Sequence, residues 1–277
     1  MNTLLSCQQL DLQPAEHLLV KQLTLDIQAN QCWVILGPNG AGKSSLLHAL
    51  AGLLPAHASD IQLQQRPLAD YPAKQRARYL GLLLQQSTQH FPQTVLDMVL
   101  GGLFAHKPCW QWHNSDDKQV ALDALQKVGL RDQHKQLLPS LSGGELRRAE
   151  IARLLLQNPS LALLDEPLNH LDIGQQVALL ARLQQHFQNA QQALVLVLHD
   201  INLARQIASH MLLLFGDGHW LAGRCEEVCT PTTMSRLFGH PVLTASTPQG
   251  ELFSADYRLL HQDVRQNINP VDYHSPG

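Results

Sequence analysis

The chain begins with two stretches in which apolar and polar residues alternate, LLSCQQLDL and HLLVKQLTLDI within residues 4–27. Alternation at every second position marks strands buried on one face, and a polar turn is expected between them near Gln13 to Glu16. CWVIL (32–36) is instead a continuous apolar run ending in glycine, the pattern of a strand covered on both faces. Helical spacing follows from Ser44 to Leu53, so strand, glycine-rich turn and helix come in that order. YLGLLLQ, from Leu80 onward, reads as another strand. LALLD (161–165) and ALVLVL (193–198) are two more buried strands, separated by a helix over 174–192 with Val177, Leu180, Leu183 and Phe187 on one face. Strands alternating with helices predict a doubly wound parallel sheet.

Residues 87–157 have a different character, mostly helical in pattern. They hold a polar loop at 106–117 with Trp110 and Trp112, then an amphipathic helix over 118–130 that ends at a glycine. They are expected to form an α-helical subdomain inserted in the α/β core. MLLLF, GDG and HWLAG (211–223) predict a hairpin turning at Asp217–Gly218, and Thr230 is expected to cap a short helix starting at Pro231. The expected organisation is a main body over 1–225, with its antiparallel β subdomain at the N-terminus, and a C-terminal extension over 226–277 whose strand signals are weak.

Composition narrows the classes. With 277 residues, 44% hydrophobic and 16% charged, the chain can bury a large core and is no disordered protein. A net charge of −3 offers no basic field for nucleic acid. No apolar run approaches the roughly 20 residues of a membrane span, and MNTLLSCQQLDLQ lacks the basic start and long apolar stretch of a secretory signal. Five cysteines, an odd number, read as reduced thiols of a cytoplasmic protein. Cys225 and Cys229 are four apart but have no further ligands around them in the sequence.

GPNGAGKS, Gly37 to Ser44, carries the first chemistry. Glycines let backbone N–H groups close on phosphate oxygens, and the following helix directs its positive end at the same point. Lys43 then reaches the β- and γ-phosphates, and Ser44 holds Mg²⁺. Alone, this motif defines a P-loop nucleotide triphosphatase. LALLDE ends a buried strand in two acids: Asp165 as a metal ligand, and Glu166 as a base for the attacking water. LSGGE (141–145) adds two glycines and a serine at a helix start, a second anion site distant in sequence from the first. An enzyme that closes its own site has no need of it, whereas two copies arranged head to tail do.

Taken together these motifs resemble the ATP-binding cassette family over most of residues 1–225. GPNGAGKSS (Gly37, Pro38, Asn39, Gly40, Ala41, Gly42, Lys43, Ser44, Ser45) is similar to its phosphate loop, and Gln85 to its Q-loop glutamine. Leu141, Ser142, Gly143, Gly144 and Glu145 resemble the family signature, LNHLD ending at Asp172 its D-loop, and His199 its switch histidine. The resemblance implies two copies sandwiching two ATP molecules. Lys43, Ser44, Gln85 and Asp165 would hold phosphates and Mg²⁺, Glu166 would act as base, His199 would steady the transition state, and the signature residues would contact the other copy's γ-phosphate.

The chain departs from the family pattern in three respects. An aromatic residue that stacks on adenine is expected near Pro14, yet residues 1–32 contain no Phe, Tyr or Trp, which predicts weak base selectivity. Arg147 stands where glutamine is usual, and Asn169 and His170 where small residues are common. FPQTVLDMVLGGLFAHK (91–107), HDINLA (199–204) and RLFGHPVLTASTPQGELF (236–253) are similar to cassettes of iron-siderophore, haem and cobalamin importers. This implies multi-span permease subunits, a periplasmic binding protein acting indirectly, and a place on the cytoplasmic face of the inner membrane. A molybdate-type importer cassette, or a soluble ATPase of the iron–sulfur cluster assembly type, is the alternative.

Overall fold

The structure is a computed structural model and describes residues 2–13, 18–54, 61–85, 92–107, 113–189, 191–248 and 250–256. β1 (Thr3–Leu12) and β2 (Val20–Gln28) pair antiparallel, as their alternation predicts. Leu5, Cys7, Leu10 and Leu12 of one strand and Val20, Leu23, Leu25 and Ile27 of the other are buried. Most of the turn expected near Gln13 to Glu16 lies outside the described residues, as do Pro14, Trp110 and Trp112. Two short pieces, β4 (Gln62–Leu63) and β5 (Arg66–Pro67), complete a sheet in the order β2-β1-β4-β5; strands of two residues show no period a sequence reading can find.

The central sheet has β3 (Cys32–Leu36), β6 (Leu80–Leu83), β7 (Leu161–Asp165), β8 (Ala193–Val197), β9 (His210–Leu214) and β10 (Trp220–Arg224) in the order β10-β9-β3-β8-β7-β6. All neighbours are parallel except β9 and β10, the predicted hairpin. Successive side chains leave a strand on opposite faces. Thus Trp33 and Ile35 pack with the antiparallel sheet and α1 (Lys43–Leu50), while Val34 and Leu36 pack with the remaining helices. Burial on both sides explains the unbroken apolar runs. α1 ends before the expected Leu53, which is 53% exposed. α2 (Ala73–Tyr79) leads into β6; its sequence AKQRARY buries no residue and so gave no amphipathic signal.

The inserted helices are α3 (Val95–Leu100), continued by a 3-10 turn at Gly101–Ala105, α4 (Ser115–Lys127) and α5 (Gly143–Gln157). α4 starts ahead of the expected 118 because Asn114 and Asp117 form a reciprocal cap: Asn114 Oδ1 accepts from Asp117 N at 2.9 Å, and Asp117 Oδ2 accepts from Asn114 N at 3.0 Å. In α6 (Ile173–Asn189) the core face is Leu179, Leu180, Leu183 and Phe187; the expected Val177 is 49% exposed, and Leu179 is buried in its place.

α7 (Ile201–Ile207) and α8 (Cys225–Val228) precede α9 (Pro231–Phe238), which Thr230 caps by accepting from Thr233 N at 3.2 Å. The weak strand signals beyond 240 become a hairpin of β11 (Val242–Thr247) and β12 (Gly250–Ala255). Met234, Leu237, Val242 and Phe253 join the same core as Leu213 of the central sheet.

Candidate nucleotide site

In a parallel sheet, ligands bind beyond the carboxyl ends of the strands. Gly37 follows β3, Gln85 lies two residues beyond β6, Asp165 ends β7 with Glu166 next, and His199 lies two residues beyond β8. Neighbouring strands thus bring together at one edge four segments that are far apart in sequence.

At β3, the turn enters α1 through Gly42, whose φ of 91° suits only glycine without strain. A Cβ there would also lie 2.8 Å from Cβ of Leu19. Lys43 is buried and its Nζ donates to the carbonyls of Gly37 and Pro38, both at 2.9 Å. These bonds fold the ammonium back over the loop mouth. Burial lowers its pKa, while Glu166 and Asp165 act in the opposite direction. Asn39 and Gly40 are exposed and Pro38, Ser44 and Ser45 half-buried, whereas Gly37 and Ala41 are buried beneath the loop.

Asp165 is 1% exposed, and burial raises its pKa against a hydrogen bond from Ser44. Its Oδ1 is buried and has no hydrogen-bond partner. A buried carboxylate with a free oxygen beside a serine hydroxyl is a hard-oxygen donor set, which fits a divalent cation such as Mg²⁺.

Glu166 is where the strand ends converge. Its Oε2 accepts from Gln85 Nε2 at 2.8 Å and Asn169 Nδ2 at 2.6 Å, and its Oε1 lies 2.6 Å from His199 Nε2. Burial raises its pKa, but the bonds from His199, Asn169 and Gln85 outweigh it and hold the carboxyl below its ordinary value. Its backbone is left-handed, with φ 46°. Asn169, read in the sequence only as a departure, is thus a donor to the proposed base. Its N–H bonds the Glu166 carbonyl at 3.3 Å, a tight turn that brings its amide back, and no periodicity announces such a turn.

The second anion element lies at the start of α5. Ser142 is its N-cap and Glu145 completes a capping box, accepting from Ser142 N at 2.9 Å and Oγ at 2.7 Å. Those bonds lower the pKa of Glu145, the Oγ bond foremost. Ser142 and Gly143 are exposed, and Leu141 is half-buried against the core. Gly144 packs on the D-loop of its own chain, where a Cβ would lie 2.8 Å from the His170 carbonyl. Asp172 is exposed and caps α6, accepting from Gln175 N at 2.8 Å. Among the described residues, no hydrogen bond joins Leu141–Glu145 or Asp172 to the Lys43–Asp165–Glu166 cluster of the same chain.

A phosphate loop, strand-end acids and an inserted helical unit that opens on a second anion element define the class: a P-loop ATPase of the cassette type. Residues 20–169 match the family model of the ABC transporter, and the chain belongs to that family. It is 34% identical over 233 residues to the ferric enterobactin transport ATP-binding protein FepC of Escherichia coli (strain K12), covering 84% of this chain and 86% of the relative. To the hemin import ATP-binding protein HmuV of Gloeobacter violaceus it is 35% identical over 238 residues, covering 83% and 86%. Among solved structures, a chain of a metal-chelate type ABC transporter in an inward-facing conformation superimposes with a TM-score of 0.80 at 29% identity, over 94% of this chain and 100% of that one. As a member of the family, the protein binds and hydrolyses ATP.

Proposed function

We propose that this chain is the ATP-hydrolysing subunit of an importer for a metal chelate: an iron-siderophore, haem or cobalamin. The observation that carries the reading is the end-to-end likeness to the metal-chelate transporter chain, with the named relatives pointing the same way. Among the described residues no helix is long and apolar enough to cross a membrane, so the membrane path is assigned to separate multi-span permease subunits. The protein would sit peripherally on the cytoplasmic face of the inner membrane, and a periplasmic binding protein would deliver cargo to the permease. Residues 1–225 are taken as the cassette, with its helical subdomain at about 87–157, and residues 226–277 as an extension.

Two copies would bury ATP between them. Gly37 to Ser45 and Lys43 bind the triphosphate, while Ser142, Gly143 and Gly144 of the other copy close on the γ-phosphate, with Leu141, Glu145 and Asp172 shaping that contact. Ser44, Asp165 and Gln85 would hold Mg²⁺, which when bound neutralises phosphate charge. Glu166, kept ionised by its three donors, orients the attacking water and takes its proton. The water oxygen then bonds to the γ-phosphorus as the bond to ADP breaks. His199, already on Glu166 Oε1, steadies the charge that develops.

A pull-down from gently solubilised native membranes with the Glu166→Gln form and ATP tests the reading. Retention of a many-span permease supports it. Recovery only with soluble partners overturns import and leaves the ATPase.

A further inference from the structure

Among the buried charges of the described residues that the site does not use, one lies directly behind it. Arg147, in the second turn of α5, is 5% exposed although it carries a full guanidinium. Its Nη1 donates to the Leu84 carbonyl at 2.6 Å and to Glu150 Oε2 at 3.2 Å. Its Nη2 donates to the carbonyls of Asp165 and Glu166, the latter at 3.1 Å. One rigid fork therefore holds the residue before Gln85, both residues of the strand-end acid pair, and the helix that Ser142 caps. Lysine, with a single point charge, cannot span these acceptors as a planar five-donor fork does.

We infer that Arg147 is a positioning residue for hydrolysis: it fixes the backbone that aims Glu166 and Gln85 and ties that backbone to the signature helix. Glu166 needs such support. Its φ of 46° is sparsely populated by side-chain-bearing residues and persists where surrounding groups over-determine it. Arg147 supplies a bond on the carbonyl of Glu166 itself and another on the residue before it. The same fork makes the ends of β6 and β7 move with α5, so a ligand seated at Ser142 is felt at the base through one side chain. The acceptors of Arg147 are protein atoms, three of them backbone carbonyls, so in this proposal its effect passes through Glu166 and Gln85. The inference rests on Glu166 being the base.

The test is the full-length Arg147→Lys variant, which keeps a cation beside the buried Glu150 but loses the bridge. Displacing a catalytic group by about an ångström costs on the order of a hundredfold, so kcat should fall at least about tenfold, with KM for ATP and nucleotide affinity within about twofold. Arg147→Gln, a neutral residue with one amide donor group, should retain more turnover than Arg147→Met. In single turnover, Arg147→Lys should add little to Glu166→Gln, because the arginine acts through that carboxylate. A wild-type kcat in Arg147→Lys, a parallel loss of affinity and melting temperature, or a full multiplicative loss on Glu166→Gln overturns the inference. Should Arg147→Lys fail to fold, Arg147→Gln against Arg147→Met decides: equal turnover in those two also overturns it. Wild-type turnover in Glu166→Gln alone would instead overturn the base assignment.

Discussion

At the residue scale the controlling feature is how Glu166 is kept charged. Burial raises its pKa, and the bonds from His199, Asn169 and Gln85 outweigh that and leave its pKa below the ordinary carboxylate value. A lowered pKa means that the ionised form persists as pH falls through the usual range and is lost only below it. Asn169→Ala removes one donor, so the acid limb of the kcat–pH profile should move to higher pH; a limb that stays in place contradicts this role for Asn169. As candidates, Asp165, Glu166 and His199 were legible in the sequence because each sits at or next to the end of a buried apolar run, and Lys43 and Ser44 because they close the GPNGAGKS motif, both local signals. Asn169 and Arg147 were not legible as partners. Their contacts depend on a left-handed turn and on a helix-to-strand crossing, and no spacing along the chain encodes either.

At the element scale, the helical insertion is held by close backbone approach as well as apolar burial. A Cβ on Gly102 would lie 2.5 Å from the Arg153 carbonyl and 3.1 Å from Gln157 N, both backbone atoms of α5. Gly102→Ala must push α5 away, which should cost about 1–3 kcal/mol. A thermal melt should drop by several degrees, and an unchanged midpoint would show that the insertion adjusts freely. Helices with an apolar stripe, such as α4 and α6, were visible in the sequence to within a few residues of their ends. α2, β4 and β5 were invisible, because a helix that buries nothing and strands of two residues carry no period.

At the scale of the whole molecule, the parallel strand order gathers the phosphate loop, the acids, Gln85 and His199 at one edge, while the signature glycines belong to a separate helix start. In the proposed ATP sandwich, a closed site therefore needs a second copy. Residues 1–32 contain no Phe, Tyr or Trp to stack on a base, so GTP and ATP should bind with affinities within about tenfold, a difference of about 1.4 kcal/mol. A nucleotide titration showing a much larger preference for ATP contradicts that. The doubly wound core and the insertion were readable from patterning, but the packing of the terminal hairpin on α7 was not. It rests on Asn202, whose amide donates to the Phe253 carbonyl at 3.1 Å and accepts from Phe253 N at 2.8 Å. The most direct measurement of the central claim is sedimentation velocity of Glu166→Gln with Mg-ATP, with turnover assayed on the same sample. The account predicts an ATP-dependent shift from one copy to two, with turnover reduced at least about a hundredfold. A protein that remains a single copy with ATP bound, or that turns over at the wild-type rate, contradicts it.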